Sequence, residues 1–221
     1  MFKLFQKLSK FSKKEPLSEG SSSYLEKDCE MWLFVGLGNP GVKYDKNRHN
    51  VGFMALDNIQ DNEPSFSNFR SKFQGELSEG RLSGQKVALL KPTTYMNNSG
   101  QSVIQVAKFY KIPPENIIVF HDELDIKAGD VRVKQGGGNA GHNGLKSIQA
   151  HLGTPDFWRV RIGIGRPHPN ADVSNYVLDN FSKEERVWLE PLIDALSDQS
   201  YKIIEDNPKS YCDFIKSHIS S

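Results

Sequence analysis

Residues 36–53, GLGNPGVKYDKNRHNVGF, restrict the possible folds of this chain more than any other stretch. They open with the three glycines of a G-x-G-x-x-G pattern, directly after an apolar run at 31–35 that predicts a short buried strand. In dinucleotide-binding folds this pattern starts a helix whose N-terminus holds a pyrophosphate. Here Pro40 stands where that helix would begin, and the following residues show no helical apolar period. The sequence therefore argues against a dinucleotide site and predicts a polar loop after the strand.

This loop carries Asn39 and then His49 and Asn50, just before a helical pattern. A loop that brings an amide and an imidazole to the end of a strand suits acid–base chemistry better than cofactor binding.

Bulk composition restricts the class of protein. The chain has 221 residues, of which 37% are hydrophobic and 25% charged, which predicts one α/β domain with a sizeable core. No apolar run approaches the roughly 18 residues of a membrane span. Cys29 and Cys212 lie at opposite ends without a metal-ligand spacing, so neither a disulfide framework nor a zinc site is expected and a reducing compartment fits.

The net charge of +1 conceals an uneven distribution. Residues 127–166 hold only two acids, Asp130 and Asp156. The same stretch holds seven cations: Lys127, Arg132, Lys134, Lys146, Arg159, Arg161 and Arg166. A basic middle in a nearly neutral chain predicts an anionic partner that binds locally, although an ordinary solvated face would look the same.

Residues 1–30 differ from the rest of the chain. MFKLFQKLSKFSKK is basic and amphipathic, and EPLSEGSSSYLEKDCE has the composition of a linker. We expect a disordered extension at 1–30 and a catalytic domain at 31–221, acting in the cytoplasm, with organellar targeting by the extension as the alternative.

From residue 31 onward, strand-like and helical patterns alternate. They predict α/β architecture in a single domain, with a mixed, twisted central sheet covered by helices on both faces. Helices are expected near 49–60, 99–110, 141–152 and 183–206, the last with a Ser182/Glu185 capping box and a kink or break at Pro191. The predicted strands are Trp32–Val35, Phe73–Leu77, Lys86–Lys91, Asn116–Phe120, Asp130–Lys134 and Arg159–Ile164, with a hairpin between the second and third.

Four polar clusters fall where loops meet these elements: the 36–53 loop, KPTTYMNNSG, HDELD after an apolar strand, and QGGGNAGHNG before a helix. Loops at the carboxyl edge of an α/β sheet are where such folds build sites. Because G-x-S-x-G is absent and neither cysteine lies in a cluster, an acyl-enzyme lacks its usual signature. A histidine oriented by Asp122 could instead deprotonate water, with amides stabilising the oxyanion.

A metal site is the alternative at HDELD, since imidazole and carboxylates are metal ligands. Strand alternation would point neighbouring side chains to opposite faces, which disfavours it. The residues in question are His121, Asp122, Glu123 and Asp125.

Taken together, the clusters resemble those of the bacterial-type peptidyl-tRNA hydrolase family. The motifs that carry the resemblance are GLGNPGVKYDKNRHNVGF, KPTTYMNNSGQSV, HDELDI, GGGNAGHNGLKSI and WRVRIGIGRP, from Met31 to about residue 181. The resemblance implies a monomeric α/β domain that hydrolyses the ester between a peptide and the terminal ribose of tRNA and so recycles tRNA from aborted translation. It implies no cofactor and no metal.

The resemblance also implies catalytic roles at matching positions. His49 would be the general base, and Asp122 would orient and polarise it. Asn39 and Asn97 would hold the peptide end and the water or oxyanion, and Asn143 would help to bind substrate and to fix the water.

Further positions of the family concern binding. Tyr44 and Met96 would line the cleft, and Arg132, Lys134 and Arg161 would grip the phosphate end of tRNA. These three cations belong to the basic middle of the chain.

Two other function classes stay open at this point. One is a catalytically silent RNA-binding or partner-binding relative, which the presence of every expected catalytic residue disfavours. The other is an esterase for small substrates, which would not need the basic middle.

Overall fold

The computed structural model describes residues 31–219. The predicted extension at 1–30 lies outside the described residues. Among the helices of 31–219, none is both long and apolar enough to cross a membrane.

A single seven-stranded sheet forms the centre of the protein, with strand order β2-β3-β4-β1-β5-β7-β6. Strand β1 pairs in parallel with β4 and β5, β5 pairs in parallel with β7, and the remaining pairs are antiparallel. The mixed sheet and the α/β class are therefore as predicted. The strands are β1 Trp32–Gly36, β2 Arg70–Lys72, β3 Gly75–Leu82, β4 Gln85–Pro92, β5 Ile117–Glu123, β6 Val131–Gln135 and β7 Trp158–Gly163.

Helices cover both faces of the sheet and bury two separate apolar cores. One core joins the sheet to α1, α5 and α7, and the other joins it to α2 and α3. Alternation along β1 shows the division, because Phe34 belongs to the first core while Leu33 and Val35 belong to the second. The helices are α1 Val51–Asn62, α2 Ser99–Tyr110, α3 Asn143–Leu152, α4 Val173–Leu178, α5 Lys183–Asp198, α6 Lys202–Glu205 and α7 Tyr211–Ile219.

The loops after β1, β4 and β5 place three of the four polar clusters at one edge of the sheet, and the fourth, which follows the antiparallel β6, reaches that edge at His142, beside Asp122. Strands β1, β4, β5 and β7 run parallel, so their carboxyl ends share that edge. Every residue of β5 is buried, which explains why its sequence is apolar until it reaches the HDE that ends it.

Several elements differ from the sequence prediction. Strand β2 was not predicted because its three residues are polar and exposed, and the strand expected at Phe73–Leu77 runs instead from Gly75 to Leu82. The predicted hairpin is present, and its turn lies at Ser83 and Gly84, both with positive φ. Helices α4 and α7 are short and were also missed.

The predicted helix at 183–206 is two helices. The Ser182/Glu185 capping box is present, but α5 continues through Pro191 and ends at Asp198. A proline leaves the carbonyl four residues earlier without its donor. That residue is Val187, which is 77% exposed, so water can bind its carbonyl and the helix continues.

The glycines of the opening motif allow two backbones to pack directly. A Cβ at Gly52 would overlap the carbonyl oxygen of Phe120 and the backbone of Leu37, and one at Gly36 would overlap the carbonyl of Gly52. The first turn of α1 therefore lies directly on β1 and β5. This contact sets the turn just before α1, which carries His49, over the end of β5.

We expect Gly52→Ala to lower the free energy of unfolding by about 1–3 kcal/mol or more, because the added methyl group has no space. Thermal unfolding of the purified variant measures the change. Gly138→Ala is the matched control, because a Cβ there meets nothing within 4 Å. Equal stability of the two variants would contradict the close packing of α1.

Candidate active site

His49 and Asp122 form the centre of the site. His49 lies in a single 3₁₀ turn, Arg48–Asn50, and its Nδ1 donates to Asp122 Oδ1 at 2.8 Å. Its side chain is only 12% exposed. Because Nδ1 carries the proton, Nε2 of the neutral ring is left as the basic nitrogen.

Asp122 is ionised although it is buried at the end of β5. Its Oδ1 accepts from His49 and also from His142 Nε2 at 3.0 Å. Burial alone would raise the pKa of the Asp122 carboxyl, but the two imidazoles, by charge and by hydrogen bonding, hold that pKa far below its ordinary value. The carboxylate is therefore charged at neutral pH.

The contact between His49 and Asp122 also changes the basicity of His49. Burial lowers the pKa of His49, but the charge of Asp122 and its hydrogen bond raise it, and the net shift is upward from 6.5. The site thus makes His49 a stronger base than a free imidazole.

His142 is a second imidazole that the predicted site residues did not include. Its Nδ1 accepts from the backbone N–H of Gly144 at 3.2 Å and of Leu145 at 3.4 Å, so it is the N-cap of α3. These bonds require an unprotonated Nδ1, which leaves the ring proton on Nε2, facing Asp122. The sequence signal was a histidine just before a helix, but its partner Asp122 lies 20 positions earlier on another element.

The metal site considered at HDELD does not assemble from its four residues. His121 Nδ1 bonds the main-chain oxygen of Asp122, and Glu123 pairs with Arg161. Asp125 pairs with Arg166.

Within residues 31–219, the ligand atoms that converge are those of His49, Asp122 and His142, all within 4.8 Å of one another. A metal on His142 Nε2 would place the ring proton on Nδ1, against the two N–H donors of α3. The helix cap therefore disfavours a metal here.

Asn39 is held in a fixed orientation after β1. Its Oδ1 accepts from the backbone N–H of Met96 at 2.9 Å, and its own backbone exchanges two hydrogen bonds with the Asn50 side chain. Only the oxygen can accept from an N–H, so the orientation of the amide is determined. Its NH₂ group is left as a donor for a ligand.

Two cavities adjoin His49. The first, of about 400 Å³, is called the amide cavity because asparagines line it. Helix α4 forms its far wall through Ser174, Val177 and Leu178. It is lined by six of the predicted residues: Asn39, Tyr44, His49, Met96, Asn97 and Asn143. The structure therefore brings the predicted cleft residues together, while their individual roles stay predictions.

The second cavity, of about 260 Å³, is called the loop cavity. It lies between the loop after β5, the glycine-rich loop before α3, and α4, and Asp122, His142 and Arg166 line it. His49 and Asn143 line both cavities, so they stand between them.

The predicted cations Arg132, Lys134 and Arg161 lie together on β6 and β7. Arg132 is directly opposite Arg161, and Lys134 is opposite the fully buried Arg159, so all four point to one face. Burial and the guanidinium groups of Arg161 and Arg159 lower the pKa of Lys134. Among residues 31–219, Glu123 is the one carboxylate that pairs with this group, and it lies 3.0 Å from Arg161.

Comparison with known proteins identifies the family. The family model described as peptidyl-tRNA hydrolase matches residues 33–219. The chain belongs to this family. The resemblance found in the sequence is thereby confirmed.

Individual relatives agree with the family model. The peptidyl-tRNA hydrolase of Ruegeria sp. (strain TM1040) is 57% identical over 76% of this chain and 67% of its own length. That of Rhodospirillum centenum is 51% identical over 82% of this chain and 79% of the relative. The crystal structure of the enzyme from Acinetobacter baumannii superposes with a TM-score of 0.78 at 41% identity, covering 84% of this chain and 94% of that one.

We expect His49 to titrate with a pKa above 6.5, and we expect Asp122→Asn to lower it, because the variant loses the charge that raises it. NMR titration of the ring protons measures both, and His49→Ala assigns the signal. Since the folded-state pKa is raised, protonated His49 stabilises the fold below the unfolded-state pKa, and this contribution is lost as pH rises through the folded-state pKa. An unchanged His49 pKa in Asp122→Asn would show that another group causes the shift.

Proposed function

We propose that this chain hydrolyses the ester between peptide and tRNA in peptidyl-tRNA by means of a water molecule that His49 activates. Family membership supports the reaction and disfavours the catalytically silent alternative. The observation that carries the mechanism is the 2.8 Å contact between His49 Nδ1 and Asp122, which leaves Nε2 as the base.

In the proposed reaction, Nε2 of His49 takes a proton from water as the water attacks the ester carbonyl. When the tetrahedral intermediate collapses, the ester C–O bond breaks and the ribose oxygen leaves with the proton that His49 returns, which frees the peptide acid and the tRNA hydroxyl. The imidazolium that forms lies against the ionised Asp122, which stabilises it and holds its tautomer. Asn39, Asn97 and Asn143 form the amide set around the carbonyl, where neutral N–H donors can stabilise the developing oxyanion. Oδ1 of Asp122 accepts hydrogen bonds from both imidazoles, so one carboxylate orients His49 and His142 together.

The substrate is oriented by the order of the strands. His49 contacts the end of β5, with β1 and β4 on one side and β7 and β6 on the other. The amide cavity takes Asn39 from the loop after β1 and Met96 from the loop after β4, which suits the peptide. The loop cavity and the cations of β6 and β7 lie on the other side, which suits the acceptor end of tRNA.

The basic face of β6 and β7 also separates this function from a small-substrate esterase. Arg132, Lys134 and Arg161 lie side by side on one face, and a hydrolase for small esters does not need such a cluster of cations. A tRNA phosphate bound there would offset the repulsion between these cations. Strong salt dependence of activity would favour the tRNA substrate.

We further propose that the protein acts as a monomer in the cytoplasm, where stalled translation releases its substrate. The support for the monomer is that His49, Asp122 and the three asparagines line two adjoining cavities, so the proposed reaction needs no residue from a second subunit. Membership of a family that acts on peptidyl-tRNA supports the cytoplasm.

We expect His49→Ala to lower turnover of peptidyl-tRNA by about 10²–10⁴-fold, the usual loss when a general base is removed. Folding should survive, because His142 still donates to Asp122 in this variant and the buried carboxylate keeps a partner. Release of peptide from purified peptidyl-tRNA measures the effect. The control is His168→Ala, at an exposed histidine outside both cavities. Near-normal turnover in His49→Ala would refute the proposed base.

Charge removal at Arg132 or Lys134 should weaken binding of full peptidyl-tRNA, and each lost phosphate contact should flatten the slope of log affinity against log salt by roughly 0.7–0.9. A minimal aminoacyl-adenosine ester should be hydrolysed almost as before, because these cations do not touch the ester. Lys86→Ala, at the exposed start of β4, is the control. Equal losses on both substrates would assign these cations to the catalytic centre or the fold.

A further inference from the structure

Arg48 precedes the candidate base His49 in the chain and is buried, with 8% exposure. Its guanidinium forms a fork with Glu185: Nε lies 2.9 Å from Oε1, and Nη2 lies 2.7 Å from Oε2. Glu185 is also the acidic residue of the capping box of α5. Arg48 therefore joins the turn of His49 to the first turn of α5.

The same guanidinium also binds α4. Nη1 donates to the carbonyl oxygens of Tyr176 at 3.0 Å and Asp179 at 3.2 Å, where α4 ends. The guanidinium carbon lies 4.3 Å from the centre of the Tyr176 ring. One side chain thus supplies donors to two carbonyl groups at the C-terminus of one helix and to the carboxylate of the next helix.

Main-chain contacts reinforce this joint. The backbone N–H of Arg48 donates to Asp179, that of Phe181 donates to Lys46, and the Asn47 side chain donates to Asn180 at 2.9 Å. The turn of His49 and the segment between α4 and α5 therefore behave as one unit.

Helix α4 matters because it is the wall that both cavities share. Ser174 and Val177 line the amide cavity and the loop cavity, and His49 faces both. A shift of α4 against the turn of His49 would change the distance between the base and the bound ester.

We propose that Arg48 is a positioning residue for the hydrolysis, because its guanidinium locks the turn of His49 to α4 and α5. The inference rests on the proposed role of His49. Lysine cannot replace arginine here, because an ammonium group cannot bind both carboxylate oxygens and two carbonyls in one plane.

The test compares Arg48→Lys and Glu185→Gln with the unmodified chain. Glutamine at 185 can still complete the capping box, so this variant removes the charged fork and spares the cap. We expect kcat to fall by about 10- to 100-fold in Arg48→Lys, the size of loss that a 1 Å misplacement causes, and by less in Glu185→Gln. In the double variant the two losses should not multiply, because both substitutions break the same contact.

The pH dependence of kcat/KM supplies a second measurement. The ring of His49 faces Asp122 from β5 and His142 from the loop before α3, while the charge of Arg48 is directed at Glu185. If the turn loosens, the contact with Asp122 weakens and the apparent pKa of the acid limb falls. A purely structural role would leave this pKa unchanged.

Tyr211→Phe is the matched control. The Tyr211 hydroxyl donates to the carbonyl of Leu196, between α7 and α5, in a fully buried position outside both cavities. This variant should lose stability yet keep kcat and the pH profile. All assays are run well below the melting temperature of each variant.

If Glu185→Gln keeps the kcat and pH profile of the unmodified chain, the proposal is wrong. It is also wrong if the loss of kcat in each variant, Tyr211→Phe included, simply increases with the loss of melting temperature. If Arg48→Lys fails to fold, Glu185→Gln decides alone. His49→Ala is measured in parallel. If this variant retains activity, His49 is not the base and the proposed mechanism is wrong. The positioning role of Arg48 is then refuted as well, because it is defined by its effect on His49.

Discussion

The arrangement of the site depends on one buried carboxylate. Asp122 is the residue before the last in β5, a strand that is buried along its whole length, and an unpaired charge there would cost several kcal/mol. Two imidazoles that share its Oδ1 offset this cost. A different part of the fold positions each imidazole. The close packing of α1 at Gly52 positions His49, and the N-cap of α3 positions His142.

The two histidines differ although they bind the same oxygen. The ring of His142 is occupied at both nitrogens, by Asp122 on one side and by the first N–H groups of α3 on the other. Within the described part of the chain, the ring of His49 is hydrogen-bonded only on its Asp122 side. The environment therefore leaves one basic nitrogen for chemistry and uses the other imidazole as a spacer between a carboxylate and a helix.

Much of the fold and the residues of the candidate cleft could be predicted from the sequence, because local sequence patterns indicate local structure. The apolar runs of β1, β4 and β5 and the capping box at Ser182 depend on neighbouring residues, and they were predicted. The exposed β2 and the six-residue α4 have no strong pattern, and they were missed. The cleft residues were found through motifs that resemble a family. The fork of Arg48 and Glu185 joins positions 137 apart, and no spacing rule reaches that far.

The order of the strands has a consequence for how such an enzyme can evolve. The candidate chemistry lies at the end of β5, between two hydrogen-bonded neighbours. Arg132 and Lys134 lie on β6, which pairs with β7 alone among the described strands. Because β6 is hydrogen-bonded to one neighbour and β5 to two, a substitution on β6 affects fewer strand pairings. The proposed RNA contacts at Arg132 and Lys134 can therefore change with less effect on the sheet than substitutions around the candidate catalytic centre.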